Sequence, residues 1–288
     1  MNETSMDIKN RVFMITGGTS GVGKAVALGL AKLGAKIVII SRSSESGQNA
    51  LDSIAEATGN NMGDFLVADL SLQSSIRNVS EEFKRKYDNL HVLANLGEAV
   101  YFEKQITQEG RERMFAVNYL SRFLLTNQLL DMLKESRPSR VLTVAGAPRF
   151  LKNAKLNVED IQLEKDFSGL RAASQTMLAR TLFTFELAKR LEGTGVTSVA
   201  FHPGLVKSNL LRTTPNLPWL LKVTAPFMQA LAKDDCKIGV YLAAAREFEK
   251  ANGVFFNEKM QIVPFQYDED TGRKLWSMSE ELTSISAV

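Results

Sequence analysis

The feature that most constrains this chain is a cluster of glycines set between an apolar, β-branched run at residues 12–15 and a helical pattern over residues 21–33. It reads Thr16-Gly17-Gly18-Thr19-Ser20-Gly21-Val22-Gly23. Glycine tolerates left-handed backbone and has no Cβ to hold a neighbour away, so such a turn can be tight and a ligand can come close to the main chain. The helix that follows offers unpaired N–H groups at its start, a seat for a pyrophosphate. A strand-to-helix turn without ligand has the same composition, and placement inside a βαβ unit favours the dinucleotide reading.

The βαβ rhythm continues along the chain. Apolar runs at residues 37–40, 65–68, 92–94, 140–144 and 196–201 alternate with helical patterns at 48–57, 74–86, 111–133 and 170–191. Near-continuous apolar strands joined by helices predict a parallel sheet covered on both faces, and right-handed crossovers then give a single Rossmann-like, doubly wound α/β fold. With 288 residues and 44% hydrophobic content, one domain spanning residues 1–288 is expected. Its core would cover about residues 9–260, with a lid at about 206–232 and a polar tail or short surface helix at about 266–288.

Composition narrows the function classes. The 35 Lys and Arg against 32 Asp and Glu leave no strongly basic surface, so nucleic acid is not an expected partner. The lone Cys236 excludes an internal disulfide and fits a reducing, cytoplasmic setting. Residues 1–10 are polar and acidic where a signal peptide would be apolar, and no apolar run is long enough to span a membrane. No cluster of metal-ligand residues stands out. At the end of the second strand Ser41-Arg42-Ser43 offers no carboxylate for the ribose hydroxyls of NAD(H), whereas Arg42 offers a cation for the 2′-phosphate of NADP(H). The expectation is therefore NADP(H) over NAD(H), with a solvated surface arginine as the alternative.

The TGxxxGxG spacing at residues 16–23 resembles that of the short-chain dehydrogenase/reductase family. Asp69-Leu70 resembles its adenine-contacting pair, Phe115-Ala116-Val117-Asn118 the helix with its structural and catalytic asparagine, and His202-Pro203-Gly204 the turn beside the nicotinamide. Residues 158–204 are similar to the retinol-dehydrogenase-like branch, which favours NADP and interconverts retinoid and other lipid-like alcohols and carbonyls. The resemblance covers roughly residues 9–260. It implies cofactor contacts from Gly17, Thr19, Ser20, Gly21, Val22, Gly23, Arg42, Asp69, Leu70, Asn95, Gly97, Pro203, Gly204 and Val206.

It also implies a Tyr-x-x-x-Lys pair on the long helix and a serine at the end of the fifth strand. The tyrosine would act as acid or base toward the substrate oxygen, the lysine would lower its pKa and hold the ribose, and the serine would bond the same oxygen. Here those positions fall on Ala173, Met177 and Gly146, and only Asn118 of the tetrad is matched. Asn95-Leu96-Gly97-Glu98 stands where the family has NNAG, and Ser121-Arg122 where the branch has Gly-His. Positioned acid–base groups contribute about 10²- to 10⁴-fold in rate, which neither alanine nor methionine can supply. Tyr119, Tyr101, Glu98, Arg149 and His202 are the candidates for a substitute, each with an ordinary structural role as its alternative.

Three readings follow. The first is an NADP(H)-binding protein that is not a conventional dehydrogenase and serves as sensor, scaffold or partner subunit. The second is a non-redox enzyme, such as a cyclase, isomerase or dehydratase, acting on a hydrophobic substrate by positioning. The third is an NADP-dependent oxidoreductase with a substitute acid. Since the NNAG region departs from the family, a protein that binds no dinucleotide stays open. Ala173 and Met177 suggest a wide, apolar pocket for a small hydrophobic ligand, with Met177 as core filler the alternative. In the lid, Trp219 and Phe227 suit such a ligand, a membrane surface or a partner subunit. The family resemblance implies a homo-oligomer, with the helix at residues 170–191 as its interface.

Overall fold

The computed structural model describes residues 8–210, 212 and 214–288. Residues 1–7 of the polar N-terminal stretch at residues 1–10 lie outside the described residues, as do Leu211 and Thr213 of the lid. Seven strands, β1 (Val12–Thr16), β2 (Lys36–Ser41), β3 (Asp64–Val67), β4 (Val92–Asn95), β5 (Ser139–Val144), β6 (Val196–Phe201) and β7 (Val254–Phe256), form one sheet. Their order is β3-β2-β1-β4-β5-β6-β7 and every pairing is parallel. The helices are α1 (Gly21–Lys32), α2 (Ser44–Thr58), α3 (Gln73–Lys86), α4 (Arg113–Phe115), α5 (Ser121–Gln128), α6 (Leu130–Glu135), α7 (Pro148–Leu151), α8 (Gly169–Arg190), α9 (Trp219–Leu231), α10 (Lys237–Ala244) and α11 (Glu269–Thr283).

This is the doubly wound arrangement that the alternation of apolar runs predicts. Phe13 and Ile15 of β1 face one layer, with α1, α2 and α10, while Val12 and Met14 face the other, with α3, α5, α6, α8 and α11. Both sheet faces are thus covered, which is why the strands read as unbroken apolar runs instead of alternating ones. Local signals close the elements. Ser43 caps α2 by accepting from the Ser46 N–H at 3.2 Å, and Gly59 ends it in left-handed backbone.

Two expectations need correction. The helix read over residues 111–133 is four pieces: α4, a π-helical turn at Ala116–Leu120, α5 and, after a break at Leu129, α6. The segment read as a polar tail or short surface helix at about 266–288 does hold a helix, α11, but it lies along α8 and completes the core instead of sitting on the surface. Its Trp276 is 1% exposed and sits against the rings of Phe123 and Phe183, at centroid distances of 4.9 and 5.9 Å. Asp268 caps α11, and Glu269 and Asp270 occupy its first turn, where the helix dipole favours them.

Candidate active site

Beyond the C-terminal ends of β1 to β4 lies a cleft of about 410 Å³. It opens where the strand order reverses between β1 and β4, the position at which open parallel sheets bind ligands. Thr16 closes the gap between these strands: its Oγ1 accepts from the Leu96 and Gly97 N–H groups at 2.9 and 3.0 Å. Gly17 then turns with φ +69°, and a Cβ there would lie 2.6 Å from Gly97 Cα. Only glycine fits, and the main chain is left bare toward the cleft. A Cβ on Gly23 would lie 2.2 Å from Gly17 O, so this glycine lets α1 begin directly behind the turn. Ser20 takes the N-cap position of α1 with its hydroxyl unused in capping, and the first turn of α1 has no acidic residue. The positive end of the helix is therefore unneutralised.

Of the residues expected to touch a cofactor, Gly17, Thr19, Ser20, Arg42, Asp69, Leu70 and Gly97 line this cleft together. Arg42 is exposed at its mouth. Gly21, Val22 and Gly23 form the first turn of α1 behind the lining. Asn95 is buried at the end of β4, where its Nδ2 donates to Thr126 Oγ1 at 3.2 Å, and it takes no part in the lining. Pro203, Gly204 and Val206 leave the end of β6 beside the cleft and not in its wall. Leu210 and Thr214 of the lid do line it, and Thr214 Oγ1 donates to Val100 O at 3.1 Å. Asn118 lies in the π-helical turn, a distortion often found at functional sites. Its amide clamps Ala99: Oδ1 accepts from the Ala99 N–H and Nδ2 donates to Ala99 O, both at 2.8 Å.

Outside the cleft lining, Met177 of α8 packs against Gly146, so closely that a Cβ on Gly146 would fall 1.7 Å from Met177 Sδ. Ala173 lies one turn earlier on the same helix. One further turn along, Arg180 donates to Glu98 Oε1 at 2.7 Å; the arginine side chain is 2% exposed and the glutamate 29%. Arg122 of α5 completes the group, donating to Val144 O and Gly97 O, each at 2.9 Å. Burial alone would raise the Glu98 carboxyl, but Arg180 and Arg122 hold it below the ordinary carboxylate range. Burial and the charge of Arg180 push the Arg122 guanidinium down, against the opposing pull of Glu98. The Nε atoms of Arg122 and Arg180 are buried without hydrogen-bond partners.

The substitute acids separate clearly. Tyr119 is excluded by position: it is buried in the core with its hydroxyl 2.6 Å from Ser279 Oγ, and burial raises its pKa. Arg149 stacks over Phe150 on the surface and borders a different groove. His202 has its ring pKa lowered by burial and does not line the cleft. Glu98 and Tyr101 do line it. Arg180 is the residue that sequence reasoning passed over, although its spacing from Met177 and Ala173 places it on their face of the helix. Among the described residues there is no cluster suited to hold a metal and no helix long and apolar enough to cross a membrane.

Comparison with known proteins matches residues 11–155 to the family described as short chain dehydrogenase. Retinol dehydrogenase 12 of Homo sapiens is 35% identical over 284 residues, covering 98% of this chain and 89% of its own. Polyprenol dehydrogenase of Homo sapiens is 34% identical over 285 residues, covering 96% and 86%. Among solved structures, a putative uncharacterized protein from Mycobacterium Paratuberculosis superposes with a TM-score of 0.76 at 24% identity, covering 100% of this chain and 99% of its own. Other structures of this fold were solved in complex with NADP or NADH. The relatives overturn the expectation of a protein that is not a conventional dehydrogenase, because chains alike over nearly the whole length are named dehydrogenases. The glycine turn, the switch-point cleft and these relatives lead to one conclusion: the chain belongs to the short-chain dehydrogenase family.

Proposed function

We propose that the chain is an NADP(H)-dependent oxidoreductase that interconverts a hydrophobic alcohol and its carbonyl. The observation that carries this reading is the bare main chain at Gly17, pressed against Gly97 and facing the cleft beside an uncapped, acid-free helix start. That cradle fits a pyrophosphate. In this reading Ser20 and the first turn of α1 hold the phosphates, Asp69 and Leu70 flank the adenine, and Arg42 meets a 2′-phosphate. The bound nicotinamide supplies or accepts the hydride.

The serine, tyrosine and lysine positions of the family are held here by Gly146, Ala173 and Met177. Arg180, on the same face of α8, restores positive charge to this region, and Arg122 adds a second guanidinium. With Glu98 as the single carboxylate, the group carries one net positive charge beneath Gly97. A fixed charge of that sign favours negative charge developing on a substrate oxygen. A guanidinium holds its protons, so the proton itself passes between that oxygen and cleft water. The lipid-like substrate class is supported by the retinol and polyprenol named in the relatives.

The test is transfer of deuterium from 4-deuterated NADPH into the alcohol formed from retinal or a long-chain prenyl aldehyde, read by mass spectrometry. Labelled alcohol, formed faster with NADPH than with NADH, is the expected result. Absence of label above a denatured-protein control with all such aldehydes refutes the reading.

A further inference from the structure

Helix α9 is amphipathic in the reverse sense for a helix at a water surface. Its inward face is Ala225 with the half-buried Leu221 and Gln229. Its outward face carries Trp219, Val223, Phe227 and Leu231, exposed by 75%, 66%, 70% and 64%. Spaced by four, these residues form one stripe about 18 Å long, at 1.5 Å of rise per residue. Leu205 and Met228 are exposed as well. Most of the other large exposed apolar side chains, such as Ile106, Phe150 and Leu170, lie on separate elements.

The segment that carries this stripe is basic along the sequence, up to Asp234 and Asp235 just beyond its end. Between Glu192 and Asp234 the sequence contains no acidic residue, although the chain as a whole has 32. The cations in that interval are Lys207, Arg212, Lys222 and Lys233. Lys207 pairs with Asp234 at 2.8 Å, whereas the other three are exposed and form no ion pair among the described residues.

We infer that α9 docks flat on an anionic phospholipid surface, with its apolar stripe at the boundary of headgroups and acyl chains. A helix of this kind binds by apolar burial together with attraction of flanking Lys and Arg to lipid phosphates. A second copy of the chain suits the face less well, because two such faces would bring Arg212, Lys222 and Lys233 against like charges, with only Asp235 and the Lys207-paired Asp234 bordering the segment to answer them. The inference rests on this surface and not on the redox reading. Its bearing on a substrate is direct: a groove of about 400 Å³ under α9, lined by Leu217, Ala225 and Pro226, shares Thr214 with the cleft. A lipid-like molecule could then pass from the bilayer to the cleft beneath the docked helix.

The full chain is floated with phosphatidylcholine vesicles with and without phosphatidylserine, and its tryptophan emission is recorded. The sequence has 2 tryptophans, and Trp276 is enclosed in the core, so a change on binding reports Trp219. The expected result is flotation that depends on phosphatidylserine, a blue shift that W219F removes, and quenching by brominated acyl chains. V223E/F227E changes only solvent-facing side chains, and should lower the vesicle-bound fraction at least about tenfold while leaving the thermal transition in place. Equal flotation of wild type and V223E/F227E, or flotation without response from Trp219, overturns the inference. So does failure to float together with a concentration-dependent dimer that V223E/F227E abolishes, which would assign the face to a second copy.

Discussion

The packing of Met177 against Gly146 can be tested without any substrate. Gly146 lacks left-handed backbone, so adding a methyl there tests space alone. The new Cβ would overlap Met177 Sδ, Cγ and Cε, at 1.7, 2.3 and 2.6 Å, and one side must move. Overpacking of this kind costs about 1–3 kcal/mol, and the flexible methionine places G146A in the lower half of that range. For a domain of this size the penalty corresponds to a fall in Tm of about 2 to 3 °C. M177A alone should cost about 1–2 kcal/mol, less than a fully enclosed methionine because the side chain is half-buried. In G146A/M177A the new methyl enters the space the methionine leaves, so the double variant should be no less stable than M177A. Urea denaturation of the four proteins gives a coupling of about 1–2 kcal/mol, well outside the error of independent sites. Additive losses would refute the argument that Met177 is what forbids a side chain at Gly146.

Other outcomes follow from named contacts. R42A should weaken NADPH binding about tenfold, by the loss of one charge-assisted contact, and leave NADH unchanged, as read by quenching of nicotinamide fluorescence; equal loss for both nucleotides would remove Arg42 from the 2′-phosphate. E98Q leaves Arg180 and Arg122 without their carboxylate and should destabilise the fold by about 2 kcal/mol, less than for a fully enclosed pair because Glu98 is partly exposed; E98Q/R180M should recover most of it, and no recovery would deny the pairing. His91 has its ring pKa pushed down from 6.5 to about 4 by burial, helped by the charge of Arg11, while its Nδ1 accepts from the Val12 N–H at 3.1 Å. Its neutral form is the one folded, so its contribution is complete above pH 6.5 and lost as the pH falls from there toward 4. After allowance for solvent screening this amounts to about 1–2 kcal/mol, and H91Q should flatten the slope of stability with pH across that window.

The sheet was legible because its inner strands face helices on both sides, and burial of that kind writes an apolar run that composition alone reveals. The glycine turn was legible because two of its positions admit no side chain. β7 was not, because three residues, Val254–Phe256, are too few to show a pattern and owe their place to pairing with β6. The breaks at residues 116–120 and 129 were hidden because the apolar periodicity runs straight through them. In the site, Arg42 and Gly97 could be placed from their distance to strand ends. The role of Arg180 could not, since a helical arginine reads as surface until its partner Glu98, distant in sequence, is brought beside it.

The position of α11 bears on how this chain is made. Its indole is the last large piece set into the aromatic cluster of Phe123 and Phe183, yet it is synthesised after every strand of the sheet. Domains form as units, and this one can close its core only after α11 has been made. Before α11 is made, the apolar surface beside α8 lacks Leu275 and Trp276 and stays uncovered. A chain cut ahead of α11 would therefore expose the rings of Phe123 and Phe183 and be prone to aggregate.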